Sequence, residues 1–180
     1  MDQEQIHNPD GDGRCKAKRF HVTHEETVNA YAEEAFALAC PVEELKWIDK
    51  WEFQMIYSES GRNENNCIFR ERMSSLFVLN SPEIATYWYT TLYDKEEYRF
   101  HAVLVSGENA IGKFEFGIEV LGERKIRACW DLRFTALGEQ GNRLFDQVFD
   151  SRMKGMLSFL GASAKHYLEK GEMLRMGEDS

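Results

Sequence analysis

The sequence predicts an α+β domain: a curved, seven-stranded antiparallel sheet wrapped around one long C-terminal helix, with two short helices after the first strand. Three observations predict it. Seven segments are strand-like, most alternating apolar and polar side chains with a period of two. The connections between the last six are short turns, whereas parallel neighbours need crossovers of a dozen or more residues. The final segment, at 100° per residue, carries an apolar arc of about 200°, twice the stripe that a surface helix needs.

In chain order, Arg19 to Val28 reads as a strand rich in Thr, Val and His, and Ala30 to Ala39 then turns helical and stops at Pro41. A second short helix is expected over Val42 to Ile48. The six further strands are Glu52–Ser58, Cys67–Phe77, Ile84–Asp94, Tyr98–Val105, Ala110–Leu121 and Lys125–Ala136. Turn residues separate them, among them Ser60-Gly61-Arg62-Asn63, Asn80-Ser81-Pro82 and Ser106-Gly107-Glu108-Asn109.

Alternation puts Phe114, Phe116, Ile118 and Val120 on one face, and does the same for Ile126, Ala128, Trp130, Leu132 and Phe134. Counting back from the turn at Asp94 puts Tyr87, Tyr89 and Thr91 inward with Phe100, Ala102 and Leu104, and sends Trp88, Thr90, Arg99 and His101 outward. A slip of one residue would invert that assignment. The closing helix runs from about Gly141 to Glu169, and an arc this wide must be gripped on more than one side.

Residues 1–17 read as a loose lead-in, 18–170 as a single domain, and 171–180 as a frayed tail. The chain has 22 basic against 31 acidic side chains, a net charge of −9. This disfavours a nucleic-acid surface, which needs a basic track, and an anionic membrane surface. No stretch reaches the roughly 18 apolar residues of a membrane span, and the polar start has no signal-like apolar core. Cys15, Cys40, Cys67 and Cys129 are scattered without a CxxC pair and read as free thiols. A cytoplasmic protein is expected.

Certain local runs carry a resemblance. They are Tyr31-Ala32-Glu33-Glu34-Ala35-Phe36-Ala37-Leu38, then Cys40-Pro41-Val42-Glu43-Glu44 and Trp47-Ile48-Asp49-Lys50-Trp51-Glu52. Further along come Tyr57-Ser58-Glu59-Ser60-Gly61 leading to Cys67-Ile68-Phe69, the strand and turn Trp88 to Asp94, and the junction Phe134 to Asn142. With the element order, these make residues 18 to 170 resemble the START/Bet v 1-like (SRPBCC) superfamily, which has the helix-grip fold and includes polyketide cyclases and the activator of Hsp90 ATPase. The resemblance implies a hydrophobic cavity between the concave sheet face and the last helix. Phe53, Met55, Tyr57, Phe69, Met73, Tyr89, Phe100, Phe116 and Trp130 would converge there on Met153 and Met156. The same residues could instead simply fill a core.

Glu71 is the ionisable residue of most interest: by alternation it shares the face of Phe69 and Met73, where burial would raise its pKa. In the opposite register Arg70 and Arg72 face inward and Glu71 meets solvent. His24, on the Phe20 and Val22 face, is either a polar cavity group or a satisfied core histidine. No metal or cofactor motif is present. His21 and His24 fall on opposite strand faces, Asn8 to Gly13 imitates a calcium loop but has Arg19 where a glutamate is required, and there is no GxSxG or P-loop.

Three functions follow as expectations: a carrier or sensor of a small apolar molecule (lipid, aromatic or isoprenoid); a polyketide cyclase/aromatase-like enzyme using Glu71, His24 or Tyr89; or a module that binds a protein partner or a second copy of itself. A uniformly apolar cavity favours the first, polar groups inside it the second, and a large exposed apolar patch the third.

Overall fold

The computed structural model describes residues 16–71, 85–145 and 149–175. The alternating segments become β1 (Arg19–Val28), β2 (Phe53–Tyr57), β3 (Ile68–Glu71), β4 (Thr86–Asp94), β5 (Arg99–Ser106), β6 (Ala110–Gly122) and β7 (Lys125–Ala136). They form one antiparallel sheet in the order β1-β7-β6-β5-β4-β3-β2. Strands β2 to β7 are neighbours in sequence and in space, those from β4 onward joined by short turns, while β1 closes on the far edge, with Arg19 opposite Thr135 and Val28 opposite Ile126. The second half of the expected Cys67–Phe77 strand, Met73 included, lies outside the described residues, as do Cys15 and the Asn8 to Gly13 loop.

The helices differ from expectation at their ends. α1 (Ala32–Ala37) and α2 (Pro41–Glu44) are each short. Pro41 does not merely stop α1; it opens α2, in the first turn where its missing N–H costs nothing. The expected single closing helix is divided into α3 (Gly138–Leu144) and α4 (Phe149–Lys170). Phe145, at φ −87° and ψ 72°, leaves the helical region and ends α3. The division lets α3 lie against the β5–β6 turn. There Gly141 abuts the Asn109 backbone, and Asn142 accepts a 2.7 Å hydrogen bond from the Lys18 backbone N–H. Past α4, Leu174 bridges to Ile48, and Arg175 Nη1 lies 2.8 Å from the buried Asp49 carboxylate.

Burial follows alternation in β6 and β7, where Phe114, Phe116, Ile126, Ala128, Trp130, Leu132 and Phe134 all face the core. Val120 does not: it is exposed near the tip of the long β6–β7 hairpin.

Two β-bulges overturn the predicted faces elsewhere. Between Thr90 and Leu92 the β4–β5 register shifts by one residue. Tyr93 pairs with Phe100 rather than with Tyr98 as counting from the Asp94 turn would have it, and beyond the bulge Thr90 and Trp88 turn inward and Tyr87 and Tyr89 turn out. A second shift, between Met55 and Tyr57, turns Tyr57 out in the same way. A bulge places two residues opposite one, so every side chain beyond it changes face.

Two parts of the core differ. At one end Phe20, Phe134, Phe145 and Phe149 pack against one another, with the Phe145 and Phe149 rings edge-on at 4.4 Å and Phe20 4.7 Å from Phe145. Met153 and Leu157 of α4 are fully buried in the same cluster. Toward the other end, under α1 and α2, the sheet and α4 stand apart.

Candidate functional site

The gap is a hollow with about 80 Å³ of space for the centre of a water-sized sphere. Its floor is a single ridge of α4, since Met156, Leu160, Ala164 and Leu168 recur every four residues and therefore stack along one helix face. Phe69, Phe100, Phe114, Phe116 and Leu132 line the sheet side. Leu38, Pro41 and Ile48 close it from the α1–α2 segment. All four tryptophans of the chain, Trp47, Trp51, Trp88 and Trp130, face this one space.

The indole N–H groups are mostly committed to the protein. Trp47 Nε1 donates to the Leu38 carbonyl at 3.3 Å, and Trp51 Nε1 donates to the Pro41 carbonyl at 2.9 Å. Trp88 Nε1 donates to Glu71 Oε2 at 2.8 Å. The Trp88 ring stacks on Phe69 at 5.5 Å and meets Phe114 edge-on at 5.1 Å. What these groups offer the hollow is chiefly aromatic surface.

Two carboxyls break the apolar lining, Glu44 and Glu71. Glu71 is inward, with Arg70 turned out over the Tyr87 ring, so the register is the one that buries the acid. Burial pushes its carboxyl up to about 7, against the opposing pull of the Trp88 hydrogen bond. Glu44 is pushed up to about 8, first by burial and then by the Glu71 charge. No Lys, Arg or His lines the hollow among the described residues. Each acid is therefore held near the neutral range by desolvation, with no cation to offset it.

Glu44 went unnoticed in the sequence, although a signal existed. Pro41, Glu44 and Trp47 are spaced by three, and Pro41 and Trp47 are buried, so a helical reading of this segment puts the carboxyl on the inner face.

Of the other residues expected here, Phe69, Glu71, Phe100, Phe116, Trp130 and Met156 line the hollow. Phe53 stands behind it, edge-on to Phe69 at 6.4 Å and stacked on Trp51. Met55 packs sulfur to sulfur with Cys67 at 3.5 Å, and Met153 belongs to the solid aromatic end. Tyr57 and Tyr89 are corrections. The bulges put both on the outer face, where Tyr57 bonds Glu59 and Tyr89 bonds Asn66. His24 faces inward but not into the hollow; its ring is 5.8 Å from Trp130 and is pressed against Gly161 of α4. Its Nε2 is buried, with the nearest carboxylate oxygen, on Glu26, 3.8 Å away.

A sheet bent around a terminal helix, with a partly apolar chamber between them, defines the class. The chain has the helix-grip fold of START/Bet v 1-like (SRPBCC) proteins. Solved structures agree. A START superfamily protein from Mycobacterium smegmatis superimposes with a TM-score of 0.62 at 15% identity, over 83% of this chain and 97% of that one. The Zhui aromatase/cyclase from Streptomyces sp. R1128 gives 0.63 at 11%, over 87% and 100%. Norcoclaurine synthase from Thalictrum flavum, in complex with dopamine and hydroxybenzaldehyde, gives 0.61 at 12%, over 96% and 100%. No family model matches the sequence, and no curated protein matches it significantly. Among the described residues no helix is long and apolar enough to cross a membrane.

Proposed function

We propose that this protein holds a small hydrophobic molecule in the hollow between its sheet and α4. The observation that carries the proposal is the lining: four indoles, several phenylalanines and a flexible Met156 facing one space. Aromatic and aliphatic walls with a few polar groups are what small-molecule sites offer. Ordinary pockets run to about 300–1,000 Å³. A hollow of about 80 Å³ therefore supports a compact, single-ring ligand over a long acyl chain. Anything larger must displace Met156 or Leu160, and methionine is the side chain best suited to yield. The buried free thiols Cys40 and Cys67 suit a reducing, cytoplasmic setting.

Native mass spectrometry of freshly purified protein tests the reading: a co-purifying apolar mass is expected, with occupancy altered by Trp130→Ala or Met156→Ala. The reading fails if no mass is retained and no member of an aromatic and lipid panel raises the melting temperature.

Glu44 and Glu71 favour a second reading, a cyclase-like enzyme. A general acid or base works best with a pKa near the operating pH, and burial brings both carboxyls there. Under this reading Glu71→Gln retains ligand binding but loses turnover of a cyclisable polyketone chain. If turnover persists in Glu71→Gln, Glu71 has no such role.

A further inference from the structure

We propose that the hollow selects a hydrophobic amine, whose ammonium sits between the carboxyls of Glu44 and Glu71 while its apolar body lies among the tryptophans. This deepens the proposed function and rests on it. Three observations lead there.

The first is the sign of the lining. A chamber walled by indoles and phenyl rings holds two acids, and no cationic side chain reaches it among the described residues. Buried charges are ordinarily paired, because an uncompensated one is costly. Among the described residues no cation lining the hollow supplies that partner, so each acid is left to take up a proton or to meet a cationic ligand.

The second is the unspent hydrogen-bonding capacity of Glu71. The residue is more than nine-tenths buried, and its Oε2 accepts from Trp88 Nε1 at 2.8 Å. Its other oxygen, Oε1, has no donor among the described residues, although the side chain borders the hollow. An ammonium brings three N–H donors and no acceptor, which suits Glu71 Oε1, and Glu44 lines the same hollow close enough for the two carboxyl charges to act on each other. A carboxylic acid or a phenolate would instead add negative charge beside two acids.

The third is the aromatic surround. Cations are attracted to ring faces, most strongly to those of tryptophan, and gain most where water is excluded. Phe69 and Phe114 pack on the Trp88 ring, but Trp47, Trp51 and Trp130 line the same space and add further indole surface to it. The Glu44 charge also acts on Tyr93, whose hydroxyl is pushed up to about 12, chiefly by burial, and stays protonated. It does not compete as an anion.

Three single-ring probes of similar size separate the possibilities: benzylamine, toluene and benzoate, titrated into the intact protein at pH 8 and followed by tryptophan fluorescence. Benzylamine is expected to bind at least tenfold more tightly than toluene, and benzoate not to bind. The double variant Glu44→Gln/Glu71→Gln, and Glu71→Gln alone as a milder change, should lose that advantage, read as the ratio of benzylamine to toluene affinity in each protein. Calorimetry at pH 6.5 in buffers of different ionisation heat should show about one proton released per benzylamine bound, because the ammonium replaces a carboxyl proton.

Equal binding of toluene and benzylamine, or undiminished benzylamine binding by the double variant, overturns the inference and leaves the hydrophobic site standing. Silence from all three probes, together with an empty native mass spectrum, overturns both.

Discussion

Trp88 Nε1 donates a 2.8 Å hydrogen bond to Glu71 Oε2, diagonally across the β3–β4 pair. The contact exists because Trp88 lies beyond the bulge in β4, on the inner face. In an unbulged strand the indole would face solvent and the carboxyl would lack this donor. The bond opposes the upward push of burial on Glu71, and it fixes the indole against Phe69 and Phe114.

Stability should fall as pH rises through neutrality. Glu71 and Glu44 titrate near 7 and 8 in the folded protein, above their ordinary value of 4.5. A folded carboxyl of raised pKa binds more protons than its unfolded counterpart. Its contribution is therefore fully present below about pH 4.5 and is lost as pH climbs through 7 to 8. At about 1.4 kcal/mol per pKa unit, Glu71 alone accounts for a loss on the order of 3 kcal/mol. Thermal denaturation of the wild type and of Glu44→Gln/Glu71→Gln should therefore diverge by several degrees between pH 5 and pH 8.5, the variant being the more stable at the alkaline end. Parallel curves would show that neither carboxyl is desolvated.

Trp88→Phe keeps the ring stacking and removes the donor. Leaving a buried acceptor without its partner costs about 1–3 kcal/mol. The variant should melt earlier, with the largest deficit above pH 7, where the unbonded carboxylate must be charged. The titration of Glu71, followed by carbon-13 NMR of labelled glutamate, should move upward. A downward move would refute the assigned bond.

Gly161 of α4 lies tightly against His24 and Glu26 of β1. A Cβ there would come within 2.5 Å of His24 Nε2 and 3.4 Å of Glu26 Cβ. Glycine to alanine in a helix normally gains about 1 kcal/mol. Here Gly161→Ala should instead cost about 1–3 kcal/mol by overpacking. In a double-mutant cycle with His24→Ala, that cost should shrink by 1 kcal/mol or more. Urea denaturation supplies all four corners of the cycle.

Cys67 is fully buried, and its thiol is pushed up to about 11, chiefly by burial. Cys40 is buried as well. Since the thiolate is the reactive form, both should resist a disulfide-exchange reagent at pH 8 and become labelled only on unfolding. Peptide mapping after timed labelling checks this. Native modification of Cys67 at the unfolded rate would show that the β2–β3 region opens readily.

The strand order and most core positions were legible because alternation over long strands such as β6 and β7 leaves one choice of inner face. The hollow was half legible. Phe69, Phe100, Phe116 and Trp130 follow from period two, but the two tyrosines do not, because a bulge leaves no mark in the alternation of apolar residues. Glu44 was missed because a single helical turn is too short for periodicity to stand out from its neighbours. The break at Phe145 was hidden for a related reason: Phe145 and Phe149 are four apart, so an unbroken helix explains their shared burial equally well.

The surplus residue in β4 also affects how this chain is compared with others of the same fold. A residue-by-residue alignment anchored at the Asp94 turn keeps its phase only as far as Leu92, then assigns each position from Thr86 to Thr90 to the wrong side of the wall. Anchored instead from Glu71 and its partner Thr86, the same alignment sets Trp88 among the chamber's furnishings and leaves the two phenols outdoors. At 11–15% identity, that one-residue offset decides which side chains of two similar folds are set opposite each other.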